Sequence, residues 1–200
     1  MQSIWCALVV AAVLASNGTA SAQEKARVTV RVDDKAGVQG ALLKFAKARA
    51  SEVFGMSGIE VEWIDGKDAN RLNVATPFTI LIMAEAPAKL KAAMEHVGVD
   101  VMGQGSPAIG RAYVYYDRVV ALRPIPPRDL QTTLGDVMAH ELGHLLLPPG
   151  HSNVGIMRPA VNMRSRRVET FTEQEAAAIH SVLREREQRT AHAEPNLNTN

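Results

Sequence analysis

Hydrophobic and polar residues alternate over two short segments of the chain, 27–32 and 59–64, and this period of two predicts half-buried β-strands. The continuous apolar run 78–83 has the length of a strand and predicts a central strand covered on both faces. Residues 111–119 are also strand-like and contain all three tyrosines of the chain. The glycines at 103, 105 and 110 predict a flexible segment before that strand.

Helical periodicity separates the first two strands and returns near the end of the chain. Apolar residues at positions 41, 42, 45 and 48 predict a long helix whose polar side carries Lys44, Lys47 and Arg49 and which ends at Gly55 to Gly58. This crossover is long enough for parallel pairing of the flanking strands, and a shorter helix is expected at 89–96. We therefore predict one α/β (α+β) domain with a mixed twisted sheet, a long N-terminal helix, a motif helix and a C-terminal helix.

The first 22 residues have the features of an export signal. The apolar run 4–15 suits a signal peptide and is too short to span a bilayer, and Ala20-Ser21-Ala22 is a small-x-small cleavage pattern. We expect a signal peptide at 1–22, a mature chain that begins at Gln23, and a secreted or periplasmic protein without stable membrane association. The polar residues 190–200 are expected to form a disordered tail, so that the domain covers 23–189.

Composition narrows the classes of function. The chain has 22 Lys and Arg against 21 Asp and Glu in 200 residues, a net charge of +1, so a nucleic-acid partner is not expected. The single cysteine, Cys6, excludes a disulfide within the chain and an all-cysteine zinc site. Any metal must therefore be held by histidines and carboxylates.

The chemistry is concentrated in an H-E-x-x-H motif formed by His140, Glu141 and His144. Thr133, followed three residues later by Asp136, predicts a helix start before the motif. Histidines four residues apart project from the same face of a helix, one turn apart, and their two imidazoles can then bind one zinc ion. Glu141 lies beside the metal in this arrangement, where its carboxylate can take a proton from an attacking water. The motif predicts a zinc-dependent hydrolase.

The residues from His140 onward resemble the metzincin clan of zinc metallopeptidases. The pattern of that clan is H-E-x-x-H-x-x-G-x-x-H followed by a methionine-containing turn, and the matching residues are His140, Glu141, His144, His151 and Met157. The resemblance implies that the three histidines bind Zn²⁺ and that Glu141 is the general base. It also implies that Met157 lies in a turn that forms a hydrophobic floor under the metal.

The chain departs from the metzincin pattern in the segment before the third histidine. Leu147 stands where the family has a glycine, and His151 comes one residue late, after Pro148-Pro149-Gly150. Proline cannot continue a helix and Gly150 can adopt a positive φ, so a slightly longer turn can still deliver His151 to the metal. The departure bears on the subfamily more than on the zinc site.

The same resemblance places residues 111–119 at an edge of the sheet, where an extended peptide would lie antiparallel to them. Tyr113 and Tyr115 are then candidate substrate-contacting residues, although packing on a sheet face is the alternative role for both. The implied protein is a monomeric zinc metallopeptidase, an endopeptidase rather than an exopeptidase, that acts on peptide or protein substrates.

Two alternatives remain at the level of sequence. Other zinc hydrolases take their third ligand from a glutamate on a later helix, and here Thr172 and Glu175 form a capping box that opens such a helix. Glu175 would then replace His151, or would only cap the helix. The second alternative is a non-catalytic exported protein whose zinc is structural and is closed by four protein ligands.

Overall fold

Five strands form one mixed sheet in the computed structural model, which describes residues 25–64, 77–97, 101–122, 129–160 and 167–193. In chain order the strands are β1 (Ala26–Asp34), β2 (Ile59–Ile64), β3 (Phe78–Met83), β4 (Gly103–Ser106) and β5 (Arg111–Tyr115). Their spatial order is β2-β1-β3-β5-β4, with parallel pairing everywhere except between β4 and β5. The predicted mixed sheet and the central position of residues 78–83 are confirmed.

The helices are α1 (Gly40–Gly55), α2 (Ala88–Val97), α3 (Tyr116–Ala121), α4 (Leu130–Leu146) and α5 (Glu173–Ala193), with a short 3-10 turn at Pro107–Ile109. The long N-terminal helix, the motif helix and the C-terminal helix all agree with the predicted order. Helix α5 continues to Ala193, past the expected domain boundary at 189. The expected signal peptide and residues 194–200 lie outside the described residues. No helix in the described ranges is long and apolar enough to cross a membrane.

The main core lies between one face of the sheet and helices α1, α4 and α5. Ile80 and Ile82 of β3 are fully buried on this face, while Leu81 and Met83 on the other face are half-buried. The opposite face carries a smaller cluster in which Leu90 of α2 packs near the end of the sheet. The expectation that β3 is covered on both faces is therefore met fully on the core face and in part on the other.

The buried face of α1 differs from the predicted one. Phe45, expected in the core, is 56% exposed, whereas the small residues Ala46 and Ala50 are fully buried. The reason is the close approach of α1 to α4 at Gly135, where an added Cβ would lie 2.6 Å from the carbonyl oxygen of Ala46. A large side chain does not fit between helices at that distance, so alanines form the contact.

The expectation that Arg49 lies on the exposed polar side of α1 is also wrong. Its Nε donates to the Asp136 carboxylate at 2.7 Å, and the Asp136 side chain is only 1% exposed. Glu52 accepts a second bond from the Arg49 guanidinium at 3.0 Å. A buried carboxylate needs such a partner, so the pair ties α1 to the first half of the motif helix.

Helix α4 begins earlier than the predicted start at Thr133. Asp129 is the N-cap, and its carboxylate accepts a bond from the Thr132 amide at 2.8 Å. Thr133 lies inside the first turn, where its hydroxyl donates to the Asp129 carbonyl oxygen at 2.9 Å. An aspartate in an extended conformation caps a helix as well as threonine does, and it lies one turn further back.

The edge strand on this side of the sheet is β4, not the strand at 111–119. Strand β5 ends at Tyr115 and pairs on both sides, because Tyr113 faces Leu81 of β3 and Gln104 of β4. The glycine-containing segment that was expected to be a flexible approach is therefore the outer strand. Residues 116–121 form helix α3 instead of continuing the strand.

Candidate metal centre

Helix α4 carries the H-E-x-x-H motif, as predicted, and brings its two histidines together. The Nε2 atoms of His140 and His144 lie 3.0 Å apart, and their rings meet edge to face with centroids 4.7 Å apart. Both side chains are half-buried at the floor of an open cavity. The geometry follows from the spacing of four, which places the two rings one turn apart on one face.

The chain turns sharply after α4 and returns His151 to the same point. Leu147 is extended (φ −115°, ψ 157°) and ends the helix, and two prolines follow it. Gly150 has φ 135°, a conformation that other residues rarely adopt. The longer turn thus accommodates both departures from the metzincin pattern, including Leu147 in place of glycine.

The three histidines form one group of potential ligands. The ring of His151 lies 5.3 Å from that of His140 and 4.8 Å from that of His144, measured between centroids. One nitrogen from each ring lies within 4.8 Å of the others. Three nitrogen atoms that converge in this way fit a tetrahedral zinc ion with a fourth position left open.

A turn at residues 152–157 contacts His140 of the motif helix. The amide of Ser152 donates to the Met157 carbonyl oxygen at 3.0 Å, and the amide of Ile156 donates to Thr170 at 2.9 Å. The carbonyl oxygen of Ile156 accepts a bond from Nδ1 of His140 at 2.8 Å. Since a carbonyl can only accept, the neutral His140 ring keeps its proton on Nδ1 and leaves Nε2 available to a metal.

Met157 is buried against the motif helix. Its side chain is 1% exposed, and its Sδ would be 2.5 Å from a Cβ added at Gly143 of the motif helix. Glycine at 143 therefore lets the methionine pack directly against the helix backbone beneath the histidines.

The surroundings of His140 and His144 favour the neutral form of both rings. Burial, with repulsion from His140 and His151, lowers the pKa of His144 to about 4. Burial also lowers the pKa of His140, against the opposing effect of its bond to Ile156. Neutral imidazole is the metal-binding form, so neither of these two rings must lose a proton at neutral pH.

Glu141 carries a buried carboxyl group. Its side chain is 5% exposed, and within the described part of the chain its Oε2 forms no hydrogen bond. Burial raises the pKa of Glu141 to about 8. An unpaired buried carboxylate is costly unless a cation or a bound proton offsets it, and a metal at the neighbouring histidines would supply that cation.

Strand β4 packs over this helix at Gly103 and Gly105, in the segment that was expected to be flexible. A Cβ at Gly103 would lie 2.5 Å from the carboxyl group of Glu141, and a Cβ at Gly105 would lie 2.5 Å from Cβ of His144. The only sequence signal is the Gly-x-Gly spacing, which puts both residues on one face of a strand. The strand and the helix enclose a cavity of about 520 Å³ beside the histidines.

Tyr113 and Tyr115 were predicted on an edge strand, and that placement is wrong. They lie on the interior strand β5 and pack with Ala86 in the smaller cluster, where Tyr115 is 3% exposed. Burial raises the pKa of the Tyr115 hydroxyl. Packing on a sheet face, the alternative role, agrees with the structure.

Glu175 caps α5. Its Oε2 accepts a bond from the Thr172 amide at 2.8 Å, and the Thr172 hydroxyl accepts one from the Glu175 amide at 3.2 Å. The capping box is therefore confirmed. Among the described side chains, the group that could hold a metal contains the three histidines without Glu175.

Comparisons with known proteins place this arrangement in a structural class. No family model matches the sequence, and no curated protein matches it. A zinc-dependent peptidase from Methanocorpusculum labreanum is similar in structure, with 18% identity, a TM-score of 0.50, and coverage of 76% of this chain and 99% of that one. An archaemetzincin from Methanopyrus kandleri has 14% identity and the same TM-score, with coverage of 82% and 99%. The chain therefore has a metzincin-like α/β fold, and its three histidines occupy a site suited to zinc.

Proposed function

We propose that the protein is a zinc-dependent metallopeptidase that hydrolyses peptide bonds. The observation that carries the proposal is the convergence of three histidine nitrogens within 4.8 Å of one another, next to the buried carboxyl group of Glu141, whose Oε2 has no hydrogen-bond partner among the described residues. A structural zinc site is closed by four protein ligands, whereas three ligands leave room for water and substrate. The ligand group in the described residues has three members and borders an open cavity, which favours the catalytic interpretation over the structural one.

The residues of the chain divide the chemistry among them. His140, His144 and His151 would hold the zinc ion, which supplies Lewis-acid activation of the scissile carbonyl and of the attacking water. Glu141 accepts the proton of that water and delivers it to the leaving amine. The bond from His140 Nδ1 to Ile156 keeps the imidazole in one tautomer and orientation throughout.

The outer edge of β4 is the proposed binding site for the substrate backbone. It is an edge strand that pairs only with β5 among the described strands, and Gly103, Gln104 and Gly105 line the cavity that contains the histidines. An extended peptide can add to such an edge through main-chain hydrogen bonds. Binding along a strand engages the chain on both sides of the scissile bond, which supports an endopeptidase.

Replacing Glu141 by glutamine tests the proposed mechanism. We expect Glu141→Gln to keep one zinc ion per chain and to lose peptide hydrolysis by several orders of magnitude, because glutamine cannot accept the proton. Zinc content by atomic absorption and turnover of a fluorogenic peptide library measure the two properties. Undiminished turnover would end the mechanism, and loss of zinc would place Glu141 in the coordination shell.

We also propose that the enzyme acts outside the cytoplasm. The proposal rests on the apolar run 4–15 and the small residues before Gln23 in the sequence. Expression of the full chain in a bacterial host should yield a secreted or periplasmic protein whose first residue is close to Gln23. N-terminal sequencing decides this, and an intact Met1 on a membrane-bound chain would contradict it.

A further inference from the structure

The cavity beside the histidines contains a cation that peptide-bond cleavage does not require. Arg158 is half-buried and lines this cavity together with His140 and His151. Among the described lining residues it is the only arginine or lysine, and Glu141 is the only acidic residue. Because Glu141 is assigned to proton transfer, no other acidic side chain among the described lining residues can neutralise the charge of Arg158.

The chain around Arg158 fixes its position relative to the histidines. It directly follows Met157, whose carbonyl oxygen accepts a bond from Ser152 at 3.0 Å. Pro159 follows it and disfavours a helical conformation at Arg158. Its Nε donates to the carbonyl oxygen of Asn153 at 2.9 Å. This bond uses one of the five N–H donors of the rigid, planar guanidinium group. The other donors are therefore held on a side chain whose position is fixed.

The surroundings of Arg158 favour a carboxylate. In the described part of the chain it forms no ion pair, and much of the remaining cavity wall is apolar, with Val101, Met102 and Val137. A guanidinium binds a carboxylate through two parallel hydrogen bonds, and such charge-assisted bonds strengthen where water is excluded. A bound zinc ion would add further positive charge to the same cavity.

We propose that Arg158 binds a carboxylate of the substrate close to the scissile bond. The proposal rests on the proposed peptidase function and specifies its substrate class: peptides that present either an acidic side chain or the C-terminal carboxylate at this place. The two sources share one chemistry, and the experiment separates them.

Peptide binding without turnover tests the proposal. The probes are fluorescein-labelled octapeptides of alanine and leucine with one Glu or one Gln at each position in turn, each made with a free C-terminus and with a C-terminal amide. Fluorescence anisotropy measures their affinity for the zinc-loaded Glu141→Gln protein. We expect the best carboxylate-bearing peptide to bind about 10-fold to 100-fold more tightly than its neutral counterpart. Among the peptides with a C-terminal amide, the affinity of the Glu peptide relative to the Gln peptide measures the contribution of an acidic side chain. Among the Gln peptides, the affinity of the free acid relative to the amide measures the contribution of the C-terminal carboxylate.

Three variants in the same background assign the preference to Arg158. Arg158→Gln should reduce the ratio of affinities to less than about twofold, and Arg158→Lys should retain part of it because the charge remains but the planar fork is lost. Arg184→Gln, at an exposed arginine of α5 that does not line the cavity, removes the same charge and should retain the whole preference.

Failure of this proposal is distinguishable from failure of the peptidase function. Equal affinity for charged and neutral peptides, no measurable binding by any of them, or a preference that survives Arg158→Gln would overturn the role of Arg158 even in an active peptidase. A protein that hydrolyses no peptide but shows the preference, and loses it in Arg158→Gln, would overturn the peptidase function alone.

Discussion

Replacing Gly103 by alanine should damage the site without touching a ligand or the base. An ideal Cβ at this position would lie 2.5 Å from Cγ, Cδ and Oε1 of Glu141. Carbon atoms that are not bonded pack at about 3.5 to 4.0 Å, so the carboxyl group or strand β4 must move by roughly 1 Å. Overpacking of this kind costs about 1–3 kcal/mol of stability. A catalytic group misplaced by about 1 Å costs about 100-fold in rate.

Gly55→Ala is the matched control for this prediction. Gly55 is the last residue of α1, and a Cβ there meets nothing within 4 Å. The control should be neutral or gain up to about 1 kcal/mol, because alanine favours the helix more than glycine does. Urea denaturation measures the free energy of unfolding, and hydrolysis of a fluorogenic peptide measures the rate. If Gly103→Ala matched the control in both assays, the close approach of β4 to Glu141 would not exist in solution.

Three further predictions concern the ligands, the floor of the site and the metal. His151→Ala should lower zinc affinity strongly, whereas Glu175→Ala should keep the zinc and lose about 0.5 to 1 kcal/mol of helix capping. Competition with a chromophoric chelator measures the zinc affinity, and the reverse result would make Glu175 the ligand. Gly143→Ala should destabilise the protein by about 1–3 kcal/mol, because its Cβ would lie 2.5 Å from Sδ of Met157; equal or higher stability by urea denaturation would contradict this. Chelation by EDTA should lower the melting temperature, since zinc at about 1,000 times its dissociation constant adds about 4 kcal/mol; unchanged calorimetric melting would refute a zinc site in the folded chain.

Elements with a strong local period were predictable from the sequence. Strands β2 and β3 have the predicted bounds, and the helix that carries His140 and His144 follows from their spacing. The packed face of α1 was not predictable in the same way. Its contact with α4 uses Ala46 and Ala50, which carry a weak hydrophobic signal, and the choice of face depends on a glycine 85 or more positions away in the chain.

The prediction that residues 111–119 form an edge strand was wrong for a related reason. Strand β4 has four residues, Gly-Gln-Gly-Ser, with no alternation of large apolar side chains. Its place is set by pairing with β5, and pairing partners are a property of the fold rather than of a short segment. The longer pattern of β5, which contains tyrosines, was therefore predicted to be the edge strand. In the structure β5 has neighbours on both sides.

The glycines around the site show why local propensity and function disagree here. Glycine within a helix or a strand costs about 0.5–1 kcal/mol relative to alanine, yet Gly143 lies within α4 and Gly103 and Gly105 within β4. At each of them an added Cβ would come within 2.5 Å of a residue of the site: Met157, Glu141 or His144. Two backbone segments, in α4 and β4, thus approach residues of the site more closely than a Cβ atom would allow. The close approach requires glycine at these positions, and glycine gives a weak local signal of secondary structure. For the same reason we expect alanine to stabilise α1 at its end but not at these three positions.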